Sequence, residues 1–264
     1  MPSAERVIRI AAVGDLHCTS ASQGIFQALM ARINEAADLL LLPGDLLNYG
    51  LPEEAEALVK EMAPLKIPAV AVLGNHDVES GHVAEITSIL TRSGMVILDG
   101  SAFEHEGVGI AGVKGFIGGF DEHSLQPWGE ASVKSLVHET VEEALRLERA
   151  LASLRTPHRL ALMHYAPIKQ TVVGEPLEIY PFLGSSRLEE PLHRYPVAAV
   201  FHGHAHRGGL EGRLGNGVPV YNVSHSLLSR CFPDRPPFRI LELPVVSDLG
   251  PAVSGATVEH GRIS

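Results

Sequence analysis

The sequence predicts an α/β fold built on two sheets, and three observations carry that reading. Short apolar runs alternate with amphipathic segments from Val7 to Leu98, a second set of apolar runs flanks one long amphipathic segment, and Asp, His and Asn cluster at the ends of these runs. An alternation of strand and helix signals with short connections is the pattern of a parallel sheet covered by helices.

Each element has its own local signal. Residues 7–13 form an apolar, β-branched run ending at Gly14, and 25–37 read as a helix. A second strand, 39–42, stops at Pro43-Gly44. Pro52 followed by Glu53 and Glu54 opens a helix to about Met62, since proline fits the first turn and acids complement the helix dipole. Pro68 opens a third strand through Leu73; a helix over 83–91 leads to a strand at 95–98. Residues 102–112 then suit a hairpin turning at Glu106-Gly107. The segment 113–135 is rich in glycine and lacks periodicity. Residues 136–154 carry Val137, Val141, Ala144, Leu145, Leu151 and Leu154 on one side of a helix, with Glu142 and Arg146 as an i,i+4 pair. Residues 159–163 and 197–201 read as buried strands. Those at 218–223 and 239–243 are expected to complete a second, partly antiparallel sheet. No repeat, low-complexity tract or linker divides the chain, so one domain over 1–264 is expected.

Composition narrows the chemistry. The chain has 264 residues, with 21 basic against 31 acidic side chains and a net charge of −10. A chain of this length buries roughly 70–75% of its extended surface and needs no staple to fold. The acidic balance and the absence of a basic run argue against a nucleic-acid surface. The apolar runs are far shorter than the ~18–20 residues of a bilayer span, and no apolar leader precedes residue 7, so a cytoplasmic location is expected. Two cysteines, Cys18 and Cys231, stand beside fourteen histidines. Imidazole and carboxylate, not thiolate, are therefore the ligands on offer to a metal.

The position of those residues is more telling than their number. Strand ends carry Gly14-Asp15-Leu16-His17, Gly44-Asp45, Gly74-Asn75-His76-Asp77, His164, and Gly203 between His202 and His204. Ligands of open α/β sheets bind at the carboxyl edge of the strands, and glycine there permits sharp turns and close approach. One Gly-Asp is usually an ordinary turn. Five coincident cases are not, because Asp15, Asp45 and Asp77 would crowd together with few Lys or Arg nearby, and buried carboxylates are costly without cations.

These five blocks, in this order over residues 14–206, resemble the calcineurin-like metallophosphoesterases. The resemblance implies a four-layer αββα sandwich, two mixed β-sheets flanked by helices, with a two-metal centre at the strand ends. It implies that Asp15, His17 and His204 bind one metal, that Asn75, His164 and His202 bind the other, and that Asp45 bridges them. Such N/O ligation suits Mn, Fe or Zn. In the implied reaction a hydroxide shared by the two ions attacks the phosphorus of a small phosphate ester. His76 is implied to protonate the leaving oxygen, and Asp77 to orient His76 or support the ligands. Asn48 departs from many relatives, which carry an acidic residue there, and no iron–tyrosinate centre is expected because purple acid phosphatases lack the histidine found at His17. Tyr165, Arg207 and Asn222 are weaker candidates for substrate contact. The other histidines, among them His206 and His225, are read as structural or surface residues. A phosphodiesterase acting on a nucleotide- or glycerol-type diester is the favoured activity, with the loops 113–135 and 165–190 expected to shape the substrate pocket. A phosphomonoesterase or protein phosphatase, or a non-catalytic scaffold, remains the alternative.

Overall fold

Strands covered on both faces read as unbroken apolar runs, and β2 (Leu39–Pro43) and β3 (Ala69–Val72) are of this kind, while β1 (Val7–Ala12) is interrupted by Arg9 and β4 (Val96–Ile97) is a half-buried apolar pair. In the computed structural model, which describes residues 6–245, they lie parallel in the order β1-β2-β3-β4. The connections hold α1 (Gln27–Ala36), α2 (Pro52–Glu61), α3 (Asn75–Val78) and α4 (Val83–Arg92). At the start of α2 the Glu54 carboxylate accepts the free N–H groups of Tyr49 (2.8 Å) and Leu51 (3.2 Å), which ties the loop after β2 to the helix.

The second sheet begins with the expected hairpin of β5 (Ser101–His105) and β6 (Val108–Val113). The long helix α5 (Ala131–Ser153) leads to β7 (His158–Met163). Two short helices, α6 (Tyr180–Leu183) and α7 (Glu190–Arg194), precede β8 (Ala199–His202). β9 (Glu211–Arg213), β10 (Pro219–Asn222), α8 (His225–Cys231) and β11 (Arg239–Pro244) follow. The order is β5-β6-β7-β8-β10-β9, with β6, β7, β8 and β10 parallel and both edges antiparallel.

One expectation is corrected. The strand at 239–243 forms, as β11, but it does not join the second sheet. It pairs antiparallel with β1, Ile10 opposite Leu241, and closes the open edge of the first sheet. Both sheets are therefore mixed. β9, α3, α6, α7 and α8 carry too few residues to show a period and have no counterpart among the expected elements, α6 lying within the segment 165–190 expected to be a loop. Residues 1–5 and 246–264, included in the single-domain expectation, lie outside the described residues.

Pleating sorts the side chains into layers. Ile8, Ile10, Leu39, Leu41, Val70 and Val72 of the first sheet meet Ile110, Leu160, Leu162 and Phe201 of the second. The opposite face of the first sheet, with Ala11, Leu40 and Leu42, packs on Met30, Ile33, Leu58 and Leu90 of its helices. The opposite face of the second, with Ala161, Met163, Val200 and Val220, packs on Leu147, Leu151 and Leu154. Helix, sheet, sheet and helix thus form four layers. Among the described residues no helix is long and apolar enough to cross a membrane.

Phe201 is fully buried in the middle layer. Its replacement by alanine leaves a cavity that both sheets line, and Phe201→Ala is expected to cost about 3–5 kcal/mol in urea unfolding. A cost under about 1 kcal/mol would contradict the packing described.

Candidate metal centre

The carboxyl ends of β1, β2, β3, β7 and β8 converge between the two sheets. Backbone hydrogen bonds fasten the loops to one another: Asp15 N–H donates to Gly44 O (3.0 Å), His17 N–H to Asp45 O (3.0 Å) and Gly14 N–H to Val223 O (2.9 Å), the last joining the two sheets. Asp15, His17, Asp45 and His204 all have positive φ, at 54°, 47°, 46° and 69°. Such backbone is unfavourable for L-residues and persists where surrounding structure imposes it, often at functional sites. Gly44 (φ 78°) has to be glycine, because a Cβ there would lie 2.6 Å from His164 Nδ1.

The tautomers follow from the carbonyls. His164 Nδ1–H donates to Pro43 O (3.0 Å), which leaves its Nε2 as a lone pair. That lone pair faces Asn75 Oδ1 (2.9 Å), His204 Nδ1 (3.1 Å) and Asp45 Oδ1 (3.4 Å). His204 Nε2–H donates to Phe182 O (3.1 Å), so its Nδ1 is a lone pair as well. Four acceptors therefore point at one another. In the other half, His206 Nε2 lies 3.4 Å from Asp15 Oδ1 and 3.4 Å from His17 Nε2, and Asp45 Oδ2 lies 3.9 Å from His17 Nε2. Among the described residues, no Lys or Arg forms an ion pair with Asp15 or Asp45. Convergent acceptors without a cationic side chain fit a metal ion held by nitrogen and oxygen donors. Asp15-His17-His206, His17-Asp45-His76 and Asp45-His164-His204 each place their ligand atoms within 4.8 Å of one another.

Electrostatics agree with that fit. Burial pushes His17 and His164 down to about 4 and His204 to about 3. These rings are therefore neutral near pH 7, as metal ligands must be. Burial, with Asp15 beside it, raises the Asp45 carboxyl to about 7. Burial would raise Asp15 too, but the hydrogen bond from His206 and the nearby His164 hold it below the usual carboxylate range.

The structure brings together Asp15, His17, Asp45, Asn75, His76, His164 and His204. It does not bring His202 there. Both His202 ring nitrogens are bonded to protein, Nδ1 to Gly203 O (2.8 Å) and Nε2 to Thr171 Oγ1 (2.8 Å). Phe201 points into the middle layer, so the pleat turns its neighbour His202 to the opposite face. His206, read from the sequence as a structural or surface residue, stands in the cluster instead, and His204 faces His164 where it was expected to face Asp15 and His17. The expected pair was thus displaced by two residues. The sequence holds the signal, since His204-Ala205-His206 has the same spacing as His202-Gly203-His204.

Other placements also change. Asp77 does not orient the His76 ring. His76 Nδ1–H donates to Asn48 O (2.6 Å). The buried Asp77 carboxylate accepts the N–H groups of Leu46 (3.2 Å), Leu47 (2.8 Å) and Gly74 (2.7 Å), holding the loops after β2 and β3 together. Tyr165 is buried, and its ring packs 4.6 Å from that of His204. Asn222 is also buried and binds backbone, its Nδ2 donating to Ala205 O (2.7 Å) and its Oδ1 accepting from Ser224 N–H (3.2 Å). Arg207 is exposed, and its N–H donates to the Glu175 carboxylate (2.6 Å).

A ligand cluster of histidine, aspartate and asparagine at the carboxyl edge of a two-sheet sandwich marks a metal-binding protein of the α/β class. Residues 8–208 match the calcineurin-like phosphoesterase family, and the chain belongs to it. A protein of Synechococcus sp. named as a probable cyclic nucleotide phosphodiesterase is 26% identical over 227 residues, 78% of this chain and 76% of that one. The fold is similar to that of phosphopantetheinyl hydrolase from Mycobacterium tuberculosis (TM-score 0.63, 14% identity, 92% of this chain and 98% of that one). It is also similar to TT1561 of Thermus thermophilus (TM-score 0.52, 16% identity, 91% and 100%).

A pH dependence follows for the metal-stripped protein. His17, His164 and His202 at about 4 and His204 at about 3 sit below the histidine value of 6.5. Their contribution is present above pH 6.5 and is lost as pH falls toward 4, because the unfolded chain then takes up protons that the folded one refuses. His225, lowered by burial, acts with these four; Asp45 and Asp77, both raised to about 7, and His206, raised by its hydrogen bond to Asp15, pull the other way, so five imidazoles stand against three groups. Chelator-treated protein is expected to melt at a lower temperature at about pH 5 than at about pH 7; an unchanged midpoint would contradict the buried neutral rings.

Proposed function

We propose that the chain is a phosphodiesterase that binds two transition-metal ions and hydrolyses a small nucleotide- or glycerol-type diester. One observation carries this reading: the Asp45 carboxylate offers one oxygen to each half of the cluster, Oδ1 toward His164 (3.4 Å) and Oδ2 toward His17 (3.9 Å). Asp15, His17 and His206 would hold one ion, and Asn75, His164 and His204 the other, with Asp45 shared. Ions bound there supply Lewis acidity toward the phosphoryl oxygens and lower the pKa of a water toward about 7.

The chain's own groups do the rest. The carbonyls of Pro43 and Phe182 fix the His164 and His204 tautomers so that lone pairs face inward, the usual work of groups behind metal-bound histidines. Asn48 O fixes His76 in the same way, leaving its Nε2 free on a partly exposed ring whose centroid is 4.7 Å from that of His17. As the imidazolium, with a second proton on Nε2, His76 can give that proton to the departing ester oxygen from there. Preference for a diester is supported by His17 in the first block and by the Synechococcus relative, named as a probable cyclic nucleotide phosphodiesterase and matched over 76% of its length.

Purified protein loaded with Mn, Fe or Zn is expected to hold two ions per chain and to hydrolyse bis-p-nitrophenyl phosphate faster than p-nitrophenyl phosphate. Faster monoester cleavage would refute the diester preference, and cleavage of neither would refute the phosphoesterase reading.

Substitutions separate the roles. Asp45→Asn is expected to lose both ions, and His206→Ala one of them. His76→Ala should keep both while turnover falls by roughly 10²–10⁴-fold, the usual worth of a proton-transfer group. Elemental analysis beside steady-state kinetics reads all three, and full metal content in His206→Ala would return the ligand assignment to His202.

A further inference from the structure

The two histidines carried by the loop after β8 stand on backbone that does not hold its shape unaided. His204 has φ 69°, outside the range that a histidine favours. Strain of this kind survives only when neighbouring groups over-determine it, and here they can be named. The His204 N–H donates to both oxygens of Asp15 (2.9 and 3.0 Å). Ala205 O accepts from Asn222 Nδ2 (2.7 Å). Gly203 O accepts from His202 Nδ1–H (2.8 Å).

The last contact determines the one behind it. A carbonyl can only accept, so Nδ1 carries the proton and Nε2 of the neutral ring is a lone pair. That lone pair lies 2.8 Å from Thr171 Oγ1, closer than the other acceptor in reach, Ile168 O at 3.2 Å, so the Thr171 hydroxyl directs its one proton to His202. Thr171 and His202 are fully buried and Asn222 almost so. Asn222 Nδ2 also lies 3.4 Å from Thr171 O. Thr171 belongs to the single turn Lys169–Val172, flanked by the buried Ile168 and Val172. It comes from the long segment after β7, far in sequence from β8.

From this arrangement we infer that Thr171, His202 and Asn222 are positioning residues for the metal centre: they clamp the Gly203–His206 loop so that His204 Nδ1 and His206 Nε2 keep their places. The inference rests on the assignment of His204 and His206 as ligands. Gly203 O sets the His202 tautomer, the Thr171 hydroxyl anchors the far nitrogen of that ring, and Asn222 holds Ala205 O. None of the three touches the reacting ester.

The test is Thr171→Val, which keeps the shape and removes the hydroxyl, compared with Thr171→Ser, which restores it. Mn affinity is titrated into chelator-stripped protein well below each melting midpoint, and kcat and KM are measured separately. Groups behind metal-bound residues are worth about 10–100-fold in affinity or activity. Thr171→Val is therefore expected to weaken Mn binding and lower kcat by roughly that factor at unchanged KM, with Thr171→Ser close to the wild type. His202→Asn is the second variant, since its amide can still donate to Gly203 O while losing the Thr171 contact. It should match Thr171→Val, and the double variant should be no worse than either.

Wild-type Mn affinity and kcat in Thr171→Val would overturn the inference. So would a loss in both variants that serine does not restore, or a loss confined to the melting temperature. Wild-type protein that binds no metal would instead refute the ligand assignment itself, so the two failures are distinguishable.

Discussion

The Asp45 carboxylate is almost entirely buried, with one oxygen turned to the His164 half of the cluster and the other to the His17 half. A charge in that position, with Asp15 close by, is tolerable only if a proton or a cation accompanies it. Much of the surrounding architecture follows from that requirement. The left-handed backbone at Asp15, His17, Asp45 and His204 brings short side chains inward from strand ends that would otherwise run past one another. Gly44 and Gly74 let the His164 ring and the Asp45 carboxylate approach their backbones. Asp77 commits its own buried carboxylate to three N–H groups and locks the two loops that flank Asp45.

The two sheets divide this work. The first delivers Asp15, His17, Asp45, Asn75 and His76 from β1, β2 and β3. The second delivers His164, His204 and His206 from β7 and β8. Neither sheet alone can surround a cation with this set of donors. The apolar middle layer between them therefore also sets the width of the site. The Gly14–Val223 hydrogen bond and the Asp15 contacts to His204 N–H act as cross-ties at its rim.

Much of this was legible in the chain. The main strands and longer helices, the hairpin at Glu106-Gly107 and the convergence of Asp, His and Asn at strand ends show as composition and punctuation, while the start of α5, five residues before the expected 136, does not. The departures have separate physical reasons. β8 is buried on both faces, so Ala199, Val200 and Phe201 are all apolar and hide the alternation that would tell His202 from Gly203. With the face hidden, His202-x-His204 and His204-x-His206 are equivalent in spacing. β11 was recognised as a strand, yet an apolar run carries no label for its partner. Of the two roles open to Asp77, orienting His76 or supporting the ligand loops, sequence adjacency cannot choose; the choice is made by its contacts to Gly74 and to Leu46 and Leu47 in the loop after β2.

The order of residues determined which chemistry is available: imidazoles, carboxylates and an amide at strand ends, in a family of phosphoesterases, with too few thiols for a four-thiolate metal site. That much is local, because residue type and the end of an apolar run are both written along the chain. Which of three closely spaced histidines faces the cluster, which tautomer each adopts and which carbonyl holds it were decided only by the tertiary structure. Those properties depend on pleat, on a reversed φ at His204 and on groups as remote in sequence as Pro43, Thr171 and Phe182.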